Sequence, residues 1–225
     1  MGKWKKWLSA GLFTAMLGTA IIAGPTADVS ANAGNKPYNS ENVSPDAHLA
    51  PSVGDSSSKT SSKAWHKIDG VCYNGSGKKV EGAITRGMDV SEWQGKINWK
   101  EAKKDLDFAF VRISYGTRHL DDYYDYNMTE AEAADVPVGT YVYSLAKTNK
   151  EALAEAQLAI RQMQGHKVSY PVAFDLEDEA TLGTLTRKEI SQIALTFCDE
   201  IRKAGYTPIL YMNLNWYNNF VDWNV

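Results

Sequence analysis

The sequence has little cysteine and no excess of positive charge. Cys72 and Cys198 are the two cysteines among 225 residues. Neither has a histidine or aspartate at the local spacing of a thiol nucleophile, which disfavours a thiol protease. A disulfide between them stays open, although a buried free thiol at Cys198, on a predicted helix, is the simpler interpretation. The formal net charge is −3, so nucleic acid is not expected as a partner.

Two kinds of cofactor site are also missing. No glycine-rich phosphate loop follows a predicted strand. The histidines have no metal-ligand spacing; they are His48, His66, His119 and His166. We therefore expect neither a metal nor an organic cofactor.

Residues 1–31 are typical of a signal peptide. Lys3, Lys5 and Lys6 precede an apolar stretch at Leu8–Ala23, and Val29–Ala31 or Ala31–Ala33 offers a small-x-small cleavage site. We expect a secreted or cell-envelope protein that meets the membrane only transiently, through this peptide. An uncleaved membrane anchor is the alternative, because the stretch is close to the lower length limit for spanning.

The next two segments separate this leader from the main domain. Residues 32–63 are rich in Ser, Asn, Gly, Pro and Lys and predict a disordered linker. Residues 64–85 combine aromatic residues with glycines and predict a short β/turn segment.

From Arg86 onward, short β-branched and aromatic runs alternate with helical patterns. The predicted strands are Gly87–Ser91, Phe108–Tyr115, Val138–Ser144, Val172–Glu177 and Thr207–Asn213. The predicted helices are Asn98–Lys104, Asp122–Ala134, Asn149–Gln164 and Arg187–Ala204. This alternation predicts an α/β fold of βαβ units with a parallel sheet, either open or closed into a barrel.

Acidic residues stand near the ends of two predicted strands. Asp175 and Glu177 alternate with apolar residues, so both side chains are expected on one face, with Cα atoms about 6.6 Å apart. Asp89 has the corresponding position in the first strand. Carboxylates at a polar cleft repel each other, so one retains a proton near neutral pH, as the acid and anion of glycoside hydrolysis require. A metal-ligand pair or a salt-bridged strand end is the structural alternative.

Six separated motifs occur in order: Gly87–Gly95, Ile97–Trp99, Phe108–Gly116, Asp121–Asn127, Val138–Tyr143 and Pro171–Glu177. Together they resemble glycoside hydrolase family 25, the lysozyme or N-acetylmuramidase family. The resemblance implies a TIM-like (β/α) barrel over residues 86–225. It also implies metal-free cleavage of the β-1,4 bond between N-acetylmuramic acid and N-acetylglucosamine in peptidoglycan glycan strands, by a monomer.

The same resemblance assigns roles to the three acids. Glu177 would be the general acid. Asp175 would orient the substrate N-acetyl group or stabilise the intermediate that this group forms, and Asp89 would support the site electrostatically. A further set of residues near the strand ends is expected to bind substrate: Trp93, Arg112, Tyr115, Tyr141, Tyr143 and Tyr211. For Arg112 the alternative is a structural ion pair. For the aromatic residues the alternative is packing in the core.

The chain departs from the family pattern at two places. Asp135 stands where the family has a glycine in a turn. Family domains also continue beyond the position of Val225 with further strands and another inward acid, so we expect a barrel that is incomplete at its C-terminus. Residues 64–85 resemble a single copy of the repeats with which wall hydrolases bind the cell wall; an ordered spacer is the alternative.

The sequence leaves two other functions open. A chitinase-type barrel glycosidase lacks support, because Val172 and Ala173 stand where its longer acidic signature continues upstream. A non-catalytic wall-binding protein on an incomplete barrel is the other alternative, and it belongs to a different functional class.

Overall fold

The computed structural model of the protein is organised around a parallel sheet and describes residues 12–16 and 19–23, for the backbone, together with 66–74 and 77–224. The predicted linker 32–63 and most of the predicted signal peptide 1–31 lie outside the described residues. Within the latter, β1 (Leu12–Met16) and β2 (Thr19–Ala23) pair in antiparallel fashion. None of the helices in the described part of the chain has the length and apolar character needed to cross a bilayer.

A short hairpin precedes the main domain. Its strands are β3 (His66–Ile68) and β4 (Val71–Tyr73), which fall in the predicted β/turn segment. Lys67 Nζ lies 2.6 Å from Asp107 Oδ2, just before the second strand of the main sheet. The hairpin therefore contacts the main domain, as an ordered spacer would. Its relation to cell-wall-binding repeats stays a prediction.

The main sheet has five parallel strands in the order β10-β9-β8-β6-β5, with β7 antiparallel to β6 at one end. The strands are β5 (Gly87–Val90), β6 (Phe108–Tyr115), β7 (His119–Leu120), β8 (Val138–Tyr143), β9 (Val168–Asp175) and β10 (Pro208–Tyr211). Consecutive parallel strands are neighbours, which confirms the predicted βαβ units. Over the described residues the sheet is open, so the structure contains no closed barrel.

Helices connect the strands and cover one face of the sheet. They are α1 (Trp99–Ala102), α2 (Tyr124–Ala133), α3 (Asn149–Met163), α4 (Glu179–Leu182), α5 (Arg187–Lys203) and α6 (Leu214–Asn219). The longest, α5, begins with a capping box between Thr186 and Glu189, as its sequence predicts. It ends before Gly205, whose φ of 91° suits glycine.

The two faces of the sheet differ in composition. Alternate residues such as Val111, Val172 and Phe174 belong to the main core beneath the helices. Phe174 stacks on Phe197 of α5 with ring centroids 4.0 Å apart. The opposite face carries a smaller aromatic cluster. The predicted acids lie on this face, near the C-terminal ends of the strands. The predicted alternation in these strands is confirmed.

Several predicted boundaries were wrong. The predicted strand Val172–Glu177 begins earlier, at Val168, and ends at Asp175, because the chain then turns into α4. Glu177 consequently lies in a loop rather than in a strand. The short elements β7, α4 and α6 were not predicted, since each is too short to show a periodic pattern.

The turn at Asp135 explains one departure from the family pattern. Asp135 has a φ of 55°, in the left-handed region where glycine is favoured. Aspartate tolerates this conformation better than most residues do. The substitution therefore leaves the turn before β8 intact.

Candidate active site

Three acidic side chains lie near one another at the C-terminal edge of the sheet. Asp89 is on β5, Asp175 is the last residue of β9, and Glu177 follows two residues later. Two of these carboxylates act on their neighbours: the charges of Glu177 and Asp89 both raise the pKa of Asp175, and the charge of Asp89 also raises the pKa of Glu177. The predicted trio therefore converges on the face of the sheet opposite the helices.

Burial dominates the electrostatics of Asp175. Its side chain is 7% exposed, and desolvation raises its pKa well above the ordinary value, with further increases from the charges of Glu177 and Asp89. Oδ1 of Asp175 is buried and has no hydrogen-bond partner among the described residues. An unsatisfied buried oxygen is costly, so this atom is available to a group supplied by a ligand.

Glu177 is more accessible than Asp175. Desolvation raises its pKa, and hydrogen bonds from the backbone N–H and the side chain of Asn213 partly oppose this increase, while the charge of Asp89 adds to it. The Asn213 side-chain oxygen accepts a hydrogen bond from Trp216 N–H at 3.0 Å and so caps α6. Asn213 thus links the carboxylate to a helix start.

Asn213 was missed as a site residue at the sequence level. It was predicted to end a strand, whereas it caps α6 two residues after β10. An Asn before Leu-Asn-Trp is a helix-start signal that would have identified the cap. Its contact with Glu177 depends on how neighbouring strands meet and has no local signal.

Tyrosine side chains flank the acids. In the register of the sheet, Tyr143 and Tyr211 lie on either side of Asp175, and Tyr115 lies next to Tyr143. The rings of Tyr115 and Tyr143 stack with centroids 4.9 Å apart, and Tyr115 is 38% exposed. The stacked pair forms an aromatic surface beside the carboxylates, while Tyr141 lies deeper, in the aromatic cluster of this face.

Trp93 occupies a short 3-10 turn, Glu92–Gln94, directly after β5. The turn is fixed by a capping box between Ser91 and Gln94. The indole of Trp93 is 67% exposed. The capped turn therefore fixes the backbone of Trp93 and leaves its ring at the surface. This position agrees better with substrate contact than with core packing.

Arg112 is buried in an ion-pair network. Its Nε donates to Asp121 Oδ2 at 2.8 Å, and its Nη2 lies 2.9 Å from Glu92 Oε1. Asp121 Oδ2 also accepts from the Glu92 N–H at 2.8 Å. The network ties the turn that carries Trp93 to β6. For Arg112 the structure thus shows the alternative, a structural ion pair, and its predicted contact with substrate stays untested.

The same network contains three groups with a geometry that could suit a cation. Ligand atoms of Glu92, His119 and Asp122 lie within 4.8 Å of one another. The Glu92 carboxylate already contacts Arg112, His119 Nε2 at 2.7 Å and the Asp122 N–H at 3.3 Å. These contacts explain why the three side chains lie together: they form part of an ion-pair network at the end of β5.

The arrangement has a specific chemical capacity. Two neighbouring carboxyls with raised pKa values titrate as a pair and retain a proton between them into a pH range where ordinary carboxyls are ionised. The partly exposed Glu177 can reach an incoming oxygen, whereas Asp175 stays anchored in the strand. Such a site can donate a proton and stabilise positive charge.

Comparisons with known proteins agree with this geometry. Residues 88–224 match the family described as "Glycosyl hydrolases family 25". The uncharacterized protein YegX of Escherichia coli (strain K12) is 26% identical over 139 residues, which make up 59% of this chain and 49% of YegX. Lysozyme M1 of Streptomyces globisporus is 38% identical over 60 residues, 26% of this chain and 20% of that protein.

Solved structures share the fold. The modular autolysin LytC from Streptococcus pneumoniae, solved in complex with a synthetic peptidoglycan ligand, superposes with a TM-score of 0.58 at 23% sequence identity. The match covers 69% of this chain and 39% of LytC. The chain spans about half the length of the curated relative YegX.

Proposed function

Because the chain belongs to glycosyl hydrolase family 25, we propose that it is a muramidase that cleaves the β-1,4 bond between N-acetylmuramic acid and N-acetylglucosamine in peptidoglycan. The observation that carries the proposal is the convergence of Asp89, Asp175 and Glu177 on the open face of the sheet, each with a raised pKa. The names of Lysozyme M1 and of the LytC complex support the same substrate.

In the proposed reaction Glu177 donates a proton to the leaving glycosidic oxygen. Its raised pKa favours the protonated form at pH values where ordinary carboxyls are ionised, and its partial exposure lets it reach the substrate. Asp175 Oδ1, buried and unsatisfied among the described residues, accepts from the N-acetyl N–H of the sugar. Oriented in this way, the N-acetyl oxygen can stabilise the positive charge that develops at the anomeric carbon.

Asp89 acts through its charge. It faces the pair from β5 and raises the pKa of both carboxyls. The stacked rings of Tyr115 and Tyr143, together with Tyr211 and the exposed Trp93, provide surfaces for sugar rings on either side of the acids. An incomplete TIM-like barrel over residues 86–225 and export by the predicted signal peptide belong to the same proposal.

The test is clearance of purified peptidoglycan, followed as a fall in turbidity. Wild type should clear the suspension, whereas Glu177→Gln, which keeps the shape and removes the acid, should reduce the rate by at least about 100-fold. Glu179→Gln, an exposed neighbour on α4, is the matched control and should behave as wild type. Mass spectrometry of the new reducing ends identifies the bond.

Three outcomes would count against the proposal. Reducing ends on N-acetylglucosamine would indicate a glucosaminidase, and cleavage of chitin in preference to peptidoglycan a chitinase-type enzyme. Co-sedimentation with peptidoglycan without any clearance would indicate the non-catalytic wall-binding protein.

A further inference from the structure

A cavity of about 380 Å³ opens at the same edge of the sheet as the three acids. Its walls come from the turn after β6, the loop after β8, the helix α3 and the start of α4. Its lining includes Gly116, Arg118, Leu145, Lys147, Glu151, Glu155 and Thr181. None of the three proposed catalytic acids lines this cavity, which has the size of a small-ligand site.

The cavity adjoins the tyrosine surface. Gly116 directly follows Tyr115, and Leu145 comes two residues after Tyr143, so the chain segments that hold the stacked rings continue into the cavity wall. The Tyr115 hydroxyl lies 3.4 Å from an oxygen of Asp178, the residue that caps α4. A ligand lying on the tyrosine pair therefore has the cavity as its neighbour.

The acidic side chains of the cavity are already engaged by the protein. Glu155 is 2% exposed; it accepts from the Ser144 hydroxyl at 2.8 Å and from the Leu145 N–H at 3.0 Å. Glu151 accepts from the Lys147 N–H at 2.8 Å. Both carboxylates thus hold the loop after β8 in place.

The basic side chains of the cavity are not engaged. Arg118 and Lys147 are exposed, and within the described part of the chain their side-chain nitrogens make no hydrogen bond or ion pair. The Thr181 hydroxyl also lines the space. The groups left over for a ligand are therefore mainly donors and positive charges, which suit carboxylates and peptide carbonyls.

We propose that this cavity binds the carboxylate-bearing stem peptide of peptidoglycan, with Arg118 and Lys147 contacting its carboxylates. The inference rests on the proposed function, because it assumes that the glycan lies along the acids and tyrosines. The peptide branches from the lactyl group of muramic acid, next to the bond to be cut. The peptide must therefore extend from the glycan close to the three acids. The cavity lies beside the tyrosine pair that flanks these acids, so it is within reach of the peptide.

The experiment compares two substrates and two double variants of the full chain. The substrates are peptide-bearing peptidoglycan and the same glycan strands after an amidase has removed the peptides. Arg118→Gln with Lys147→Gln should raise KM for peptide-bearing strands about five- to tenfold, as expected for two exposed charge pairs. The rate on peptide-free strands should not change. Lys150→Gln with Lys188→Gln, two exposed lysines, is the control for lost net charge.

Equal losses on both substrates, or an equal effect of the control variant, would overturn the inference. A calorimetric titration of the full chain with a soluble muramyl tripeptide separates this failure from failure of the proposed function. Binding that weakens in the Arg118/Lys147 variant alone supports the cavity even if the chain hydrolyses nothing. Unchanged binding in that variant, or no binding by wild type, overturns it even if the chain clears peptidoglycan.

Discussion

Glu155 makes the stability of the fold depend on pH in an unusual direction. Burial raises the pKa of this carboxyl from 4.5 to about 7, and the charge of Glu151 adds to the increase, although the hydrogen bonds from Leu145 and Ser144 oppose it. In the unfolded chain the carboxyl loses its proton near 4.5, while the native protein keeps it until about 7. The native state therefore binds more protons over this interval, and the contribution of Glu155 to stability falls as the pH rises through it.

The size of the effect follows from the difference between the two pKa values. One pKa unit corresponds to about 1.4 kcal/mol, so the interval from 4.5 to about 7 corresponds to about 3 kcal/mol of unfolding free energy. Glu155→Gln removes the titration. Its amide can accept from the Leu145 N–H and donate to the Ser144 oxygen, so the loop after β8 should keep its conformation. The variant should gain about 2.5 kcal/mol relative to wild type between pH 5 and pH 8, because the rest of the effect occurs below pH 5.

The assay is urea unfolding followed by tryptophan fluorescence at pH 5, 6, 7 and 8. Other groups titrate in this range as well, so the informative quantity is the difference between variant and wild type at each pH. Glu130→Gln, at an exposed position of α2, is the matched control and should give a constant difference. The reasoning is refuted if the Glu155→Gln difference is also constant within about 0.5 kcal/mol across the series.

Three further predictions concern the site and the sheet. Asn213→Ser keeps a cap for α6 but removes the side-chain donor to Glu177, so the basic limb of the pH–rate profile on peptidoglycan should move to higher pH; an unmoved limb would exclude that contact. Asp121→Asn should cost about 3 kcal/mol in urea unfolding, because it weakens the buried pair with Arg112, and a loss under 1 kcal/mol would contradict this. Gly139→Ala should cost about 2 kcal/mol, since a β-carbon there would lie 2.5 Å from a backbone oxygen of β9; wild-type stability would show that the strands can separate.

The sequence predicted the elements that have a long periodic pattern. The apolar spacing of α5, its capping box and its final glycine are local signals, and the structure follows them to within one residue. The strand β6 was predicted with both ends correct, because a run rich in Phe, Val, Ile and Tyr is bounded by a charged turn and a glycine. The ends of β9 were wrong because its limits are set by pairing with β8 and β10, which no local pattern encodes.

The site divides in the same way. The positions of Asp89 and Asp175 could be predicted from the sequence, since each lies near the end of an alternating strand, where side-chain direction follows from chain geometry. Glu177 was expected on the same strand as Asp175 but lies in the loop after it, and the catalytic roles of all three acids stay predictions. The burial of Arg112 against Asp121 and Glu92 could not be found, because these residues come from three separate segments. The free cysteines Cys72 and Cys198 likewise could not be assigned from their spacing, and the structure leaves both buried and unpaired.

The sequence by itself determined the α/β alternation, the helix starts and the acidic character of the strand ends, because periods of 2 and 3.6 residues and capping preferences act over a few neighbouring residues. Only the tertiary structure decided which charged side chains are paired or buried within the protein and which can bind a ligand. Asn213 meets Glu177, Glu155 is desolvated, and Arg118 stays without a partner in the described chain as a result of strand order and loop packing, which join residues far apart in sequence.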